Sequence, residues 1–148
     1  MELDNHLELI AATFSPMHAD GSLNCTPVAA YAKHLVQNGI SAVFINGTTG
    51  ESLSLTLDER QQLAEEWLRV GADKLKVMVH VGHNTIADAV ALARHAEETG
   101  AVAISAMAPT FFRPNCVDDL VSFLNPIAAA APKTPFYFYH IPSMTGVE

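Results

Sequence analysis

Hydrophobic residues along the chain fall into two alternating kinds of segment. Short, nearly continuous apolar runs occupy residues 9–14, 42–45, 77–81, 102–106 and 136–140. Between them lie longer stretches whose apolar positions recur every three or four residues. A run that is apolar without alternation predicts a strand covered on both faces, as in a parallel sheet. Successive runs end roughly 30 positions apart, the size of one strand-plus-helix unit.

The intervening stretches carry helix start and stop signals. Thr26-Pro27 places a cap and a first-turn proline before "VAAYAKHLVQN", and Gly39 closes it. Thr56 and Glu59 have capping-box spacing ahead of "RQQLAEEWLRV", which Gly71 closes. Asn84-Thr85 opens "IADAVALARHAEET", closed by Gly100. A fourth helix, "VDDLVSFLNPIAAAA", contains Pro126, which should kink or split it by removing a backbone donor.

The predicted order is βαβαβαβαβ, a parallel α/β architecture, either an open doubly wound sheet or a (β/α)8 TIM barrel. No G-x-G-x-x-G follows the first strand, which weakens a dinucleotide-binding sheet. A barrel needs eight units and about 250 residues. This chain of 148 residues supplies five strands and four helices. The simplest expectation is that residues 1–148 are the N-terminal part of a single barrel domain.

Composition narrows the function classes. Sixteen acidic against eight basic side chains leave a formal charge of -8, without a basic run. Nucleic acid and anionic membrane surfaces are poor partners for such a chain. No apolar segment approaches the roughly 20 residues of a spanning helix. The first residues are acidic, with no basic stretch of a secretory leader. Cys25 and Cys116 are the only cysteines, so no disulfide framework is implied and a reducing cytoplasm fits.

In parallel α/β proteins reactive groups gather at the carboxyl ends of the strands. After the second strand stands Gly47-Thr48-Thr49-Gly50. Glycines permit a sharp turn with exposed amides, and two hydroxyls complete a small cup of carboxylate size. An ordinary strand-to-helix turn has the same composition, and spacing alone slightly favours it. After the fifth strand, Tyr137 and Tyr139 share a face, and Tyr139 could relay a proton or merely pack. Ile141-Pro142 ends that strand. His80, His83 and His140 gather at strand ends without metal-site spacing, so His80 reads as a satisfied strand-end histidine. His34 and His95 read as surface or groove residues, and Trp67 as core. Phe111-Phe112 reads as a hydrophobic plug, a pocket wall or a subunit contact.

Six segments together carry a resemblance: "INGTTGESLSL" at 45–55, "AEEW" at 64–67, "HVGHNT" at 80–85, "AMAPTFFRP" at 106–114, "AAAAP" at 128–132 and "FYFYHIPSMTGV" at 136–147. In this order they resemble the N-acetylneuraminate lyase and dihydrodipicolinate synthase superfamily of class I aldolases, and within it the lyase branch. The resemblance implies a (β/α)8 barrel that cleaves N-acetylneuraminate to N-acetylmannosamine and pyruvate through a lysine Schiff base. It implies that Thr48 and Thr49 bind the pyruvate carboxylate and that Tyr139 is the catalytic proton relay. Met144 stands where the synthases carry an arginine for a second carboxylate. Thr110-Phe111 stands where they carry a tyrosine pair, and Thr110 also departs from the aromatic usual in the lyases.

The Schiff-base lysine of these families lies on a sixth strand, beyond this chain. Lys33 falls in a helix, and Lys74, Lys76 and Lys133 precede strands, at the wrong end for catalysis. The resemblance further implies no metal and no organic cofactor, because the iminium is the electron sink. The implied partner is a small 2-oxo acid or sialic acid, and the implied assembly a homotetramer. Another pyruvate-dependent aldolase or dehydratase, or an inactive truncated barrel, is the alternative.

Overall fold

The computed structural model describes residues 9–148. The expectation about a leader falls on positions 1–8, outside the described residues. Five strands form one sheet: β1 Ile10–Ala12, β2 Ala42–Ile45, β3 Lys76–His80, β4 Ala103–Ala106 and β5 Phe136–Phe138. Every neighbouring pair is parallel, and the spatial order is β1-β2-β3-β4-β5. A doubly wound sheet reverses direction at a switch point. Here each crossover adds its strand on the same side, as in a closing ring. The fold is therefore the first five strands of a (β/α)8 barrel.

Helices α1 Val28–Gln37, α2 Leu57–Gly71, α3 Ile86–Glu98 and α4 Val117–Ala129 cover one face of the sheet. Alternation along the strands sorts the side chains. Val43, Ile45, Val77, Val79 and Ile104 join the buried cluster with the helices. Phe44, Met78, Ser105, Tyr137 and Tyr139 line the inner face of the incomplete ring. Trp67 of α2 is fully buried and meets the Tyr31 ring edge-on at 5.4 Å, while Tyr31 stacks on Phe14 at 4.6 Å. The alanines Ala89, Ala93 and Ala96 of α3 are also fully buried, so that helix packs through its smallest side chains.

Local signals and structure agree in most places. Thr56 Oγ1 accepts from the Glu59 amide, and Glu59 Oε2 accepts from the Thr56 amide, closing the capping box. Gly39 and Gly100 terminate α1 and α3 in left-handed backbone. Pro27 has helical dihedrals immediately before α1, which starts one residue later than expected.

Several expectations need correction. Pro126 does not split α4. The carbonyl that loses its donor belongs to Ser122, which is exposed and open to water. Asn84 does not cap α3; its side chain serves the next loop, as described below. Gly71 is the last residue of α2 rather than its stop. β2 and β4 are covered on both faces, but β1 and β5 are largely exposed. They are the two edges of the described sheet, where the inner face has no opposing strands. β1 and β5 are also shorter than their apolar runs, and Pro142 starts a one-turn helix, α5 Pro142–Thr145, rather than simply ending a strand. No helix among the described residues is long and apolar enough to cross a membrane.

Candidate functional site

The chemistry-bearing residues collect at the carboxyl rim of the sheet, beginning with the turn after β2. Its left-handed residues are Asn46, at φ 55°, and Glu51, at φ 52°. Gly47 and Gly50 have no positive φ, which corrects the expectation that the glycines make the bend. Space demands them instead. A Cβ on Gly47 would lie 2.8 Å from Phe44 Cε1, and one on Gly50 would lie 3.1 Å from the Asn46 nitrogen.

The turn is tied down from two sides. Ser15, just past β1, donates from Oγ to the Gly50 carbonyl at 2.6 Å. Asn46 donates from Nδ2 to the Arg60 carbonyl at 3.0 Å. Within this frame the amides of Thr48, Thr49 and Gly50 donate to no acceptor among the described residues. Thr48 is half-buried and Thr49 exposed. Three successive amides without acceptors thus stand beside two hydroxyls, all of them hydrogen-bond donors.

Tyr139 reaches this turn from the far side of the ring. Its amide still bonds the Ala106 carbonyl at 2.9 Å, holding the residue in line just beyond β5. The Tyr139 hydroxyl donates to Thr48 Oγ1 at 3.4 Å. Two of the three residues singled out in the sequence are thus in contact across 91 positions, and the third, Thr49, is adjacent to one of them. Next to Thr48 lies a cavity of about 210 Å³, with Met107 and Met144 on its walls. Its size suits a molecule of a few heavy atoms. Met144 supplies no cation there.

His80 sits inside the ring below Tyr139. Its ring meets Phe44 edge-on at 6.2 Å and Tyr139 at 6.0 Å. Gly82 covers the imidazole, since a Cβ there would lie 2.8 Å from His80 Nε2. The expectation of a satisfied histidine fails: neither ring nitrogen has a hydrogen-bond partner among the described residues. Burial first, and then the charge of Arg60, lowers its pKa from 6.5 to about 3, and the Asn46 backbone pulls weakly the other way. Folded His80 is therefore neutral where unfolded His80 takes up a proton. Stability from this group is complete above pH 6.5 and is lost as pH falls toward 3. In the full-length protein, His80→Gln should flatten the fall of the unfolding midpoint between about pH 7 and pH 4. Equal slopes for the two proteins would contradict that assignment.

The three rim histidines do not converge. His83 Nδ1 accepts from the Thr85 amide at 3.1 Å, and His140 lies against Phe138. No group of three metal-ligating side chains occurs among the described residues. In the helix layer, His95 bridges to Glu65 at 2.9 Å, as a groove residue would. Phe111 and Phe112 are 76% and 83% exposed, so they plug nothing among the described residues. Asn84 Oδ1 accepts from the amides of Thr110 and Phe111 and from the Thr110 hydroxyl, locking the loop after β4 to the loop after β3. Lys33 lies in α1, and Lys74, Lys76 and Lys133 lie at the amino ends of β3 and β5, remote from this rim. A groove of about 540 Å³ between α1 and α2 also lies away from it.

Sequence reading missed Arg60. It is fully buried, and it donates from Nη2 to the His80 carbonyl at 2.7 Å and from Nη1 to the Gly82 carbonyl at 3.0 Å. A signal was there to find. Arg60 falls in step with Leu63, Ala64, Trp67 and Gly71 on the buried stripe of α2, where a charge is out of place.

Comparison with known proteins places the chain in context. A profile of the Dihydrodipicolinate synthetase family matches residues 5–148. The N-acetylneuraminate lyase of Pongo abelii is 49% identical over 142 residues, covering 95% of this chain and 44% of that protein. The solved Proteus mirabilis N-acetylneuraminate lyase is 41% identical with a TM-score of 0.92, covering 95% of this chain and 48% of that one. A Ruminococcus gnavus sialic acid aldolase, solved as a catalytic lysine mutant, is 33% identical with a TM-score of 0.88, covering 93% and 45%. The chain spans about half the length of the relatives it matches.

Proposed function

The chain belongs to the dihydrodipicolinate synthetase family, and from that premise we propose that it is the N-terminal part of one (β/α)8 barrel that cleaves N-acetylneuraminate to N-acetylmannosamine and pyruvate. The observation that carries this reading is the contact of the Tyr139 hydroxyl with Thr48 Oγ1 beside three unused turn amides. A carboxylate in the cup would accept from the amides and from the Thr48 and Thr49 hydroxyls. That fixes the 2-oxo carbon near the tyrosine.

In this reaction a lysine from a later strand condenses with the 2-oxo carbon and releases water, leaving a protonated iminium. Tyr139 relays the proton of the sugar hydroxyl next to the breaking bond: its phenol oxygen accepts that proton as it passes its own to the carboxylate held in the cup, and the same relay run backwards later protonates the enamine carbon. The oxygen becomes the aldehyde carbonyl of N-acetylmannosamine, and the bonding electrons pass to the iminium as an enamine. Protonation at carbon and hydrolysis then release pyruvate and the free amine. The need for a later lysine agrees with the Ruminococcus gnavus relative, whose mutant is named for its catalytic lysine. Met144 in place of a cation favours a polyhydroxy substrate over a second carboxylate. A homotetramer in the cytoplasm belongs to the same proposal, and the two free cysteines are compatible with a reducing compartment.

Borohydride reduction in the presence of pyruvate, read by intact mass, tests the proposal. The full-length protein should gain one reduced pyruvate, and residues 1–148 alone should gain none. An adduct on the 148-residue chain would overturn its placement as an N-terminal part. No adduct on the full-length protein would overturn Schiff-base chemistry. Product analysis over a panel of 2-oxo acids separates the lyase from a sister aldolase or dehydratase.

A further inference from the structure

Arg60 is a fully buried guanidinium with no carboxylate partner among the described residues. Such a group is costly to bury, and its ordinary resolution is an ion pair. Here burial lowers its pKa to about 10, so it stays charged at neutral pH. Its partners are two backbone carbonyls, that of His80 at the end of β3 and that of Gly82 just past it. Its own carbonyl receives the Asn46 side chain at the root of the Thr48-Thr49 turn. One residue of α2 therefore joins the turn after β2 to the end of β3, and carries an uncancelled positive charge into that joint.

We propose that Arg60 is the positioning residue of the carboxylate cup: it holds the 46–50 turn in its anion-accepting shape, and its unneutralised charge favours an anion there. The inference rests on the function proposed above. The bland alternative is an arginine that only satisfies strand-end carbonyls. Arg60 adjoins the inner face directly: its Nη2 donates to the carbonyl of His80, whose ring lies 6.0 Å from that of Tyr139. Any N–H donor would satisfy the two carbonyls, whereas attraction of a carboxylate requires the charge.

The test uses the full-length protein and two probes, pyruvate and its uncharged methyl ester, followed by borohydride trapping over a range of concentrations. Arg60→Gln keeps a donor and loses the charge. It should raise the half-saturating pyruvate concentration about ten-fold or more and that of the ester less than about three-fold. Arg60→Lys should keep the preference for pyruvate over the ester, with a smaller loss. Arg60→Lys is also the second route if Arg60→Gln fails to fold, because it keeps the charge while giving up the fork that holds two carbonyls. Equal losses for pyruvate and ester in Arg60→Gln, no loss in that variant, or loss of the preference for pyruvate in Arg60→Lys would overturn the inference. If the unmodified protein traps no pyruvate, the proposed function fails, and this inference with it.

Discussion

Replacing Tyr139 with phenylalanine in the full-length protein should lower kcat for N-acetylneuraminate cleavage by roughly two to four orders of magnitude, the range of a positioned acid–base group. The Michaelis constant should change by no more than about a few-fold. The reason lies in how the ring is held. Phe44 meets it edge-on at 5.4 Å and His80 at 6.0 Å, so the ring keeps its place without the oxygen. What disappears is the hydroxyl 3.4 Å from Thr48 Oγ1. Because the cup amides and threonine hydroxyls remain, substrate should still bind. Steady-state kinetics and a thermal melt check this together. A loss confined to the Michaelis constant would make Tyr139 a binding group, and full activity would remove it from the mechanism.

Residues 1–148 on their own should not behave as an ordinary monomer. β1 and β5 each lack a second neighbour in the described sheet. Ile10 and Tyr137 are each 54% exposed, on strands whose apolar runs predict cover on both faces. Unpaired strand edges and an open apolar face invite pairing with other chains. The isolated segment should therefore associate, aggregate or be partly molten, whereas the full-length protein unfolds cooperatively. Light scattering, binding of a hydrophobic dye and a melt at several concentrations check it. A sharp, concentration-independent monomeric transition would show that the exposed face needs no cover.

Much of the architecture was readable from local pattern, because strand cover and helix capping are short-range effects. The apolar runs located all five strands, and the Thr56–Glu59 pair located the start of α2. Pro126 did not split α4, because the cost of a lost donor depends on whether water reaches the orphaned carbonyl, and exposure is a tertiary property. Gly47 and Gly50 were found for the wrong reason. A glycine in a motif suggests an unusual dihedral, but the need here is for room beside Phe44 and Asn46.

The order and spacing of segments determined a parallel α/β unit and left a doubly wound sheet and a barrel both open, while resemblance of its motifs pointed to the barrel and singled out Thr48, Thr49 and Tyr139. Only the folded chain could decide that the Tyr139 and Thr48 oxygens meet, since the two residues lie 91 positions apart. Only it could show that Ser15 and Arg60 brace the turn and that His80 is buried with both nitrogens unpartnered among the described residues. Periodicity reports which face of its own element a residue occupies. Which elements those faces meet, and whether a polar atom finds a partner there, is set by the closure of the sheet, a long-range event that no local window contains.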